Sequence, residues 1–420
     1  MVVPATDGAW TWHQDPRAVH INGSTYLGYV DSEGSIILYE FDHDTESATE
    51  VVLTEEELID DHISPIIYQL PDDRFLIQYG RSETGIRQRI SEDPGDISSF
   101  RDRRLMTTFN SNYPNPIAVG DDIHNYIRQD PGLQRNQYRF GSTDNGESWT
   151  KELQLTDFDE RAYLKTAQLN TDRYYLALTS VTSSQPNKAF CIYYQDGSYH
   201  EADGTELASD DTDPLLSETD MDTLYQTDTD EFGALRVWDV VALDADDVRF
   251  LISDVDDPTD HEYYQLRWDG SSWSTSYIVD SGPTPTDNND YYSGGLCYSG
   301  VDPDTVFLSQ QVDGTHEIYT AEATSDSWSQ TTVTDNSENN QWRPMRVRNA
   351  HPDLPVVWTD MEDYTQFTDY QQTVVSELDL SVEPTKIKSF NRSTSTNRRY
   401  DADSGSGRVV TDKSDGHPNG

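Results

Sequence analysis

Short stretches of alternating hydrophobic and polar residues recur along almost the whole 420-residue chain. Residues 26–30 and 74–79 are typical, because they are rich in aromatic and β-branched side chains and are bounded by Gly, Asp or Asn. Successive side chains of a strand point to opposite faces, so this pattern predicts β-strands with one buried face. Long stretches with helical periodicity are absent from the sequence. We therefore predict an all-β protein.

Residues 142–149 carry the clearest turn signal, Ser-Thr-Asp-Asn-Gly-Glu-Ser-Trp. Asn145 and Gly146 suit a type I′ hairpin turn, and Ser142 and Asp144 can hydrogen-bond its backbone. Trp149 then lies on the returning strand, where its ring can cover the hairpin. The pattern S-x-D-x-G-x-x-W resembles the Asp box, a hairpin repeated in β-propellers such as sialidases and the BNR-repeat families. This resemblance implies a propeller fold but no chemistry.

The strand-like stretches group into repeats of about 45–60 residues, the length of a four-stranded propeller blade. We place seven repeats, at about residues 10–53, 62–106, 112–155, 163–207, 235–279, 291–333 and 342–380. The prediction is a β-propeller of seven four-stranded blades over residues 1–384, with six or eight blades as alternatives. Residues 208–231 are predicted to be an acidic surface insertion. Residues 385–420, which are basic and rich in Ser and Gly, are predicted to be a tail, a strap over the propeller or a docking arm.

The composition is strongly acidic, with 77 Asp and Glu against 29 Lys and Arg and a net charge of −48. Two interpretations stay open: a surface adapted to high salt, where the screening length is about 3 Å at 1 M, or a surface that binds cations or a basic partner. A nucleic-acid partner is disfavoured, because phosphate contacts need Lys and Arg. Cys191 and Cys297 lie far apart and are predicted to be buried free thiols.

The sequence lacks an apolar stretch of about 18 residues, the length that a transmembrane helix requires. It also begins without the charged and apolar regions of a signal peptide. We therefore expect a protein that stays in the cell, leaves by another route or is released in a virus particle. A mature domain without its leader would have the same sequence.

Several further motifs occur in a consistent order. They are W-x-W-x-x-D-P-R-A at 10–18, D-D-H-x-x-P at 60–65, Y-P-N-P at 113–116, Y-Y-x-D-G at 193–197, Y-S-G-G at 292–295 and W-R-P at 342–344. Together they resemble the BNR-repeat propellers that include ulvan lyases and putative polysaccharide lyases. The resemblance implies β-elimination in an acidic polysaccharide.

Elimination next to a uronate needs a cation for the carboxylate, a base for the C5 proton and an acid for the leaving oxygen. The resemblance maps His62 and Tyr163 onto a proton-transfer pair, although the residues alone equally allow a structural histidine and a core aromatic. Arg17 and Arg128 are candidates for neutralising the carboxylate. The remaining candidates, for substrate binding, are Trp10, Trp12, Tyr113, Arg81 and Arg343.

Two departures from the family pattern point away from catalysis. Ser82 stands where the family often carries a second histidine, and residues 179–184 contain neither the His nor the Arg expected there. Our first hypothesis is therefore a glycan-binding propeller with a partly lost catalytic set. Its concrete form is a host-surface recognition component, such as a haloarchaeal virus tail fibre or receptor-binding protein.

The alternative hypothesis is an active polysaccharide lyase, and a third is an intracellular assembly scaffold. The expected partner is an acidic polysaccharide or cell-surface glycan, with other virion or surface proteins as candidates for residues 385–420. No cofactor or metal site is predicted, because His, Cys and acidic residues lack zinc or EF-hand spacing. A structural divalent cation stays open.

Overall fold

The computed structural model describes residues 2–5, 7–81, 85–107, 110–129, 135–181, 186–210, 215–228, 235–257, 259–286, 292–325, 327–378 and 384–388. A single 3-10 turn, Asp61–Ile63, and 31 strands form within these residues. No helix in this part of the chain is long and apolar enough to cross a membrane.

The strands follow one another in chain order. They are β1 (Val2–Ala5), β2 (Ala18–Ile21), β3 (Ser24–Val30), β4 (Ile36–Asp42), β5 (Ser47–Thr54), β6 (Ile66–Gln69), β7 (Phe75–Tyr79), β8 (Arg87–Ile90), β9 (Arg104–Leu105), β10 (Ser111–Val119), β11 (Asp122–Gln129), β12 (Asn136–Ser142), β13 (Thr150–Gln154), β14 (Arg161–Gln168), β15 (Arg173–Val181), β16 (Lys188–Gln195), β17 (Ser198–Glu201), β18 (Glu206–Ser209), β19 (Tyr225–Gln226), β20 (Leu235–Asp244), β21 (Asp247–Asp257), β22 (Asp260–Trp268), β23 (Trp273–Asp280), β24 (Leu296–Tyr298), β25 (Thr305–Val312), β26 (Thr315–Ala323), β27 (Trp328–Thr332), β28 (Asn340–Arg346), β29 (Val356–Gln366), β30 (Asp369–Ser376) and β31 (Thr385–Lys388).

The described strands assemble into seven sheets, which we number in chain order. The sheets, from the inner to the outer strand, are β2-β3-β4-β5-β31, β6-β7-β8-β9, β10-β11-β12-β13, β14-β15-β16-β17-β18 with β19 on β16, β20-β21-β22-β23, β24-β25-β26-β27 and β28-β29-β30-β1. Each sheet falls on one predicted repeat. The prediction of an all-β propeller is confirmed.

The first strands of the sheets line the centre of the propeller. The described residues of β6, β10, β14, β20, β24 and β28 contact one another in sequence, and β2 contacts β6. The first and seventh sheets meet where the His20 amide donates to the Arg348 carbonyl (2.8 Å) and the Arg348 amide donates to the Ala18 carbonyl (3.0 Å). Residues at the start of the inner strands therefore converge on one end of the central channel.

The two ends of the propeller chain are joined through the seventh sheet. Its outer strand, β1, comes from the start of the sequence and pairs antiparallel with β30. The first residues of the chain therefore complete the last sheet, and this pairing closes the ring of sheets.

The core fills the spaces between neighbouring sheets. Trp10 and Trp342, both fully buried, lie at the junction of the first and seventh sheets. Cys191 and Cys297 are buried and free, as the sequence predicted.

The acidic segment at about 208–231 is more than a surface loop. Among its described residues, Leu216 and Met221 are buried in the core of the fourth sheet, and β19 pairs with β16. These apolar side chains hold the segment against the propeller. The predicted tail from residue 385 begins with β31, which pairs in parallel with β5 of the first sheet.

The Asp box forms the hairpin that its sequence predicts. Asn145 and Gly146 have positive φ values of 56° and 75°. Asp144 Oδ1 accepts hydrogen bonds from the Ser142 hydroxyl (2.9 Å) and the Ser148 amide (2.8 Å). The Trp149 Nε1 donates to Gln88 Oε1 of the second sheet at 2.8 Å. The box therefore supports the turn and its packing on the neighbouring sheet.

Asp144→Ala is expected to lower the free energy of unfolding by about 1 kcal/mol, because it removes hydrogen bonds that cap the turn. Denaturant unfolding measures this change, and Thr143→Ala at the exposed neighbouring position is the control. A loss of glycan binding or activity in Asp144→Ala, with stability unchanged, would contradict a purely structural box.

Candidate active site

A short 3-10 turn between the first and second sheets holds His62 at the mouth of the channel. Asp60 caps the turn, because its Oδ1 accepts a hydrogen bond from the His62 amide at 3.0 Å. The Gln14 side-chain amide donates to the carbonyls of His62 (3.1 Å) and Ser64 (2.8 Å). The W-x-W-x-x-D-P-R-A segment therefore fixes the D-D-H turn.

Two carboxylates surround the imidazole of His62. Its Nδ1 lies 2.9 Å from Asp60 Oδ1 and 2.8 Å from Asp61 Oδ1. Burial disfavours the charged ring, but the attraction of Asp61 and Asp60 outweighs burial and raises the pKa of His62. Its Nε2 faces the Tyr292 hydroxyl at 3.2 Å. The raised pKa favours the protonated imidazole, which can donate through Nε2.

The two carboxylates are in turn paired with arginines. Arg343 Nη1 donates to Asp61 Oδ2 at 2.6 Å, and the Tyr364 hydroxyl donates to the same oxygen at 2.9 Å. Arg81 is ion-paired with Asp60. The described residues contain one group of potential metal ligands whose atoms lie close enough together to bind an ion. This group consists of Asp60, Asp61 and His62. Because the carboxylates of Asp60 and Asp61 are already paired with arginines, this group does not fit a metal ion.

A second group of residues surrounds Tyr163 on β14, the inner strand of the fourth sheet. The guanidinium of Arg128 lies 4.9 Å from the centre of the Tyr163 ring, and that of Arg236 on β20 lies 5.0 Å from it. Burial favours the neutral phenol, but Arg128, Arg236 and Arg161 outweigh burial and lower the pKa of Tyr163 to about 7. A phenol with this pKa is partly ionised at neutral pH, which makes Tyr163 a candidate base.

His13 joins the two groups. Its ring centre lies 5.8 Å from that of His62 and 4.8 Å from that of Tyr163, with both pairs stacked. Tyr113 lies beside it, 4.5 Å between ring centres, and takes the left-handed φ of 59°. The side-chain amide of Asn115 donates to the carbonyls of Tyr113 (3.0 Å) and His13 (3.4 Å). The rings of His13, His62, Tyr113 and Tyr163 thus form one layer, with His62 on one side of His13 and Tyr163 on the other.

The sequence profile of a family described as "BNR repeat-containing family member" matches residues 24–281. The chain belongs to this BNR-repeat family. An ulvan lyase of polysaccharide lyase family PL25, solved with -[GlcA(1-4)Rha3S]-, superimposes with a TM-score of 0.71 and 14% identity over 89% of this chain and 94% of that chain. The polysaccharide lyase Uly1 superimposes with a TM-score of 0.57 and 8% identity over 89% and 96%. At these identities the likeness shows a shared fold. A search of curated proteins gives no match.

This BNR-repeat protein brings most of the predicted site residues together. The ring layer contains His62, Tyr163 and Tyr113, and the guanidinium of Arg128 lies over both tyrosines. Trp12 packs on His13 with 4.5 Å between ring centres. Ser82 and residues 182–184, whose substitutions argued against catalysis, lie outside the described residues.

Three predicted residues take other positions. Arg343 is fully buried behind Asp61, and Trp10, also fully buried, donates through Nε1 to the Arg343 carbonyl at 3.0 Å. Arg17 donates to Asp15 (3.2 Å) and to the Thr11 carbonyl (2.7 Å), in a charged cluster separate from Tyr163. Roles for them in substrate contact stay predictions.

Sequence reasoning missed His13, Arg236 and Tyr292 as site residues. His13 lies within the motif at 10–18, and Tyr292 begins the motif at 292–295. Their positions in these motifs could have marked them as site residues. Arg236 stands in the first residues of β20, Leu-Arg-Val-Trp, where its neighbours are apolar, and it is buried there. A buried arginine in such a strand needs partners, and this requirement could have marked it.

Proposed function

We propose that this BNR-repeat propeller is a polysaccharide lyase that cleaves a uronate-containing polysaccharide by β-elimination. The observation that carries the proposal is the packing of Arg128 and Arg236 against the Tyr163 ring, which lowers the pKa of its phenol to about 7. The same ring layer contains His62, whose pKa is raised by Asp61 and Asp60. A base and an acid with pKa values moved toward neutrality are what this reaction requires. The shared fold with two polysaccharide lyases supports the reaction class.

The residues divide the reaction between them. The Tyr163 phenolate takes the C5 proton, and the electrons of that C–H bond form the C4=C5 double bond as the C4–O bond breaks. The leaving oxygen takes a proton from the Tyr292 hydroxyl, which is replenished by the Nε2–H of His62 at 3.2 Å. Arg128 and Arg236 bind the uronate carboxylate and stabilise the charge that develops at C5.

The departures from the family pattern led the sequence analysis to favour recognition over cleavage. Its argument was that Ser82 stands where the family often carries a second histidine and that residues 179–184 contain neither the His nor the Arg expected there. Arg128 comes from the third sheet and Arg236 from the fifth, and both guanidiniums face the Tyr163 ring. This pair supplies the charge that the argument lacked, and we therefore place the lyase first.

The test is incubation of the protein with ulvan, other uronate polysaccharides and a neutral polysaccharide, at low and at molar salt. The lyase proposal expects new chain ends with the ultraviolet absorbance and mass of a 4,5-unsaturated uronate, from uronate polymers alone. Saturated ends would identify a hydrolase and overturn the proposal. Intact polymers under all conditions would also overturn it.

The second candidate function is glycan recognition without cleavage. The observation that favours it is the burial of the ring layer, since His62 is 4% and Tyr163 is 8% exposed. The expected partner is an acidic polysaccharide or a cell-surface glycan. A role as a host-surface component, such as a haloarchaeal virus tail fibre docked through residues 385–420, rests on the sequence alone. Binding to host glycans with no new chain ends would support this candidate.

Arg236→Gln is expected to lower kcat/KM for elimination by about 10²-fold, because it removes a donor aimed at the developing charge. The control is Arg267→Gln, an exposed arginine paired with Asp247, which changes the net charge equally. Arg236→Lys should recover part of the rate, since it keeps the charge but not the planar guanidinium. Equal rates in Arg236→Gln and Arg267→Gln would exclude Arg236 from the site.

A further inference from the structure

A second charged cluster lies deeper in the channel, outside the layer of Tyr163. Lys165 stands two residues after Tyr163 on β14, so both side chains lie on the same face of the strand, about 7 Å apart along it. Lys165 is 1% exposed and is ion-paired with Asp15. The neighbouring cavity is small and partly open to solvent, with a volume of about 10 Å³, which is room for about one particle the size of water. Its lining consists of Asp15, Arg17, Trp238, Asp239, Cys297, Arg346 and Arg348.

Cations outnumber carboxylates in this cluster. The four cations are Lys165 and the lining arginines, and they face the two carboxylates of Asp15 and Asp239. Asp15 is shared between Lys165 and Arg17, whose Nε lies 3.2 Å from it. Asp239 Oδ1 accepts from Arg346 Nη2 at 2.8 Å. Both carboxylates are thus already engaged by other cations.

Arg348 makes the weakest polar contact of the four cations. Its Nη2 donates to the Thr166 carbonyl at 3.3 Å, which gives the guanidinium a neutral partner. Burial lowers the pKa of Arg348, and burial likewise lowers the pKa of Lys165 to about 8. The side chain of Arg348 is partly exposed, and Asp15 and Asp239 attract its guanidinium. The ion pairs of these two carboxylates are with Lys165, Arg17 and Arg346, so Arg348 can still take a further anionic partner.

We propose that this cavity binds a small inorganic anion, of the class of chloride or bromide, between Arg348, Arg346 and Arg17. The excess of positive charge selects an anion. The carboxylates of Asp15 and Asp239 in the same lining would repel a polyanion, so a single negative charge fits best. The site is separate from the ring layer, and the proposal does not depend on the lyase reaction.

The test uses bromide as the probe. Crystals of the full chain grown with sodium bromide should show an anomalous peak in the cavity. In solution, the thermal midpoint should rise saturably with bromide when ionic strength is held constant with sodium gluconate, whose anion is too large for the cavity. Arg348→Gln should weaken this bromide response by about tenfold or more, since it removes a charged hydrogen-bond donor.

Two variants keep the test decisive. Arg267→Gln removes one exposed positive charge, and its bromide response should equal that of the wild type. Arg348→Lys keeps the charge and should keep most of the response, which also covers the case that Arg348→Gln does not fold. A crystal without a peak in the cavity, a peak with no saturable response in solution, or the same response in all variants would overturn the proposal.

Discussion

Tyr163→Phe is expected to lower kcat for the proposed elimination by about 10²–10⁴-fold, because it removes the group that we propose as the base for the C5 proton. The substitution keeps the ring that stacks on His13 and faces Arg128, so folding and substrate affinity should change little. The measurement is the initial rate of unsaturated uronate formation, with KM determined separately from kcat. A fall in kcat with KM unchanged is the signature of a group that acts on the reacting proton.

The pH profile gives an independent test of the same residue. Arginines lower the pKa of Tyr163 to about 7, so its basic form grows as pH rises through that value. We expect kcat/KM to increase with pH and to level off above about 7. The residual kcat/KM of Tyr163→Phe should not show this increase with pH.

Tyr113→Phe is the matched control, because Tyr113 lies in the same layer. Burial raises the pKa of Tyr113 to about 12, so it is neutral across this range. Its loss should change KM more than kcat and leave the pH limb in place. An unchanged pH limb in Tyr163→Phe, or an equal loss of kcat in Tyr113→Phe, would contradict the assignment of Tyr163 as the base.

The fold could be predicted from the sequence because its signals are local. Alternation with period two marks each strand, and Gly, Asn and Asp mark the turns, so every predicted repeat falls on one observed sheet. The turn of the Asp box also formed as predicted, since the hydrogen bonds of Asp144 lie within one hairpin. The segment at 208–231 was the exception. Its acidic residues concealed Leu216 and Met221, whose burial depends on the neighbouring sheet.

The site could be predicted only in part, because it is assembled from residues distant in sequence. His62 and Tyr163 were found through motifs, whereas the pairing of Arg236 with Tyr163 depends on how the fourth and fifth sheets meet in the channel. Arg17 shows the same limit. Its sequence position suggested the substrate carboxylate, and its contacts are with Asp15 and the Thr11 carbonyl. Proximity across the channel is a property of the closed ring and not of any single repeat.

Arg343→Met is expected to destabilise the protein by about 3–5 kcal/mol, because it leaves the carboxylate of Asp61 buried without its cation. Both side chains are 0% exposed, and Arg343 also donates to the Trp10 carbonyl at 2.7 Å. The first and seventh sheets and the His62 turn therefore share this ion pair. Denaturant unfolding at constant salt measures the loss. Arg267→Met, which breaks an exposed pair with Asp247, should cost less than about 1 kcal/mol.

A double mutant separates the ion pair from the packing of the arginine. Asp61→Asn removes the charge that Arg343→Met would leave unpaired, so the two changes together should cost less than the sum of the single changes. The same double mutant tests the site, since Asp61 is the stronger of the two carboxylates that raise the pKa of His62. Loss of Asp61 should lower the pKa of His62, the proton donor of the proposed reaction. Activity should then begin to fall at a lower pH on the alkaline side of the pH profile. Strict additivity of the unfolding free energies, with an unshifted profile, would show that Asp61 and Arg343 are not coupled and that the charge of His62 does not depend on them.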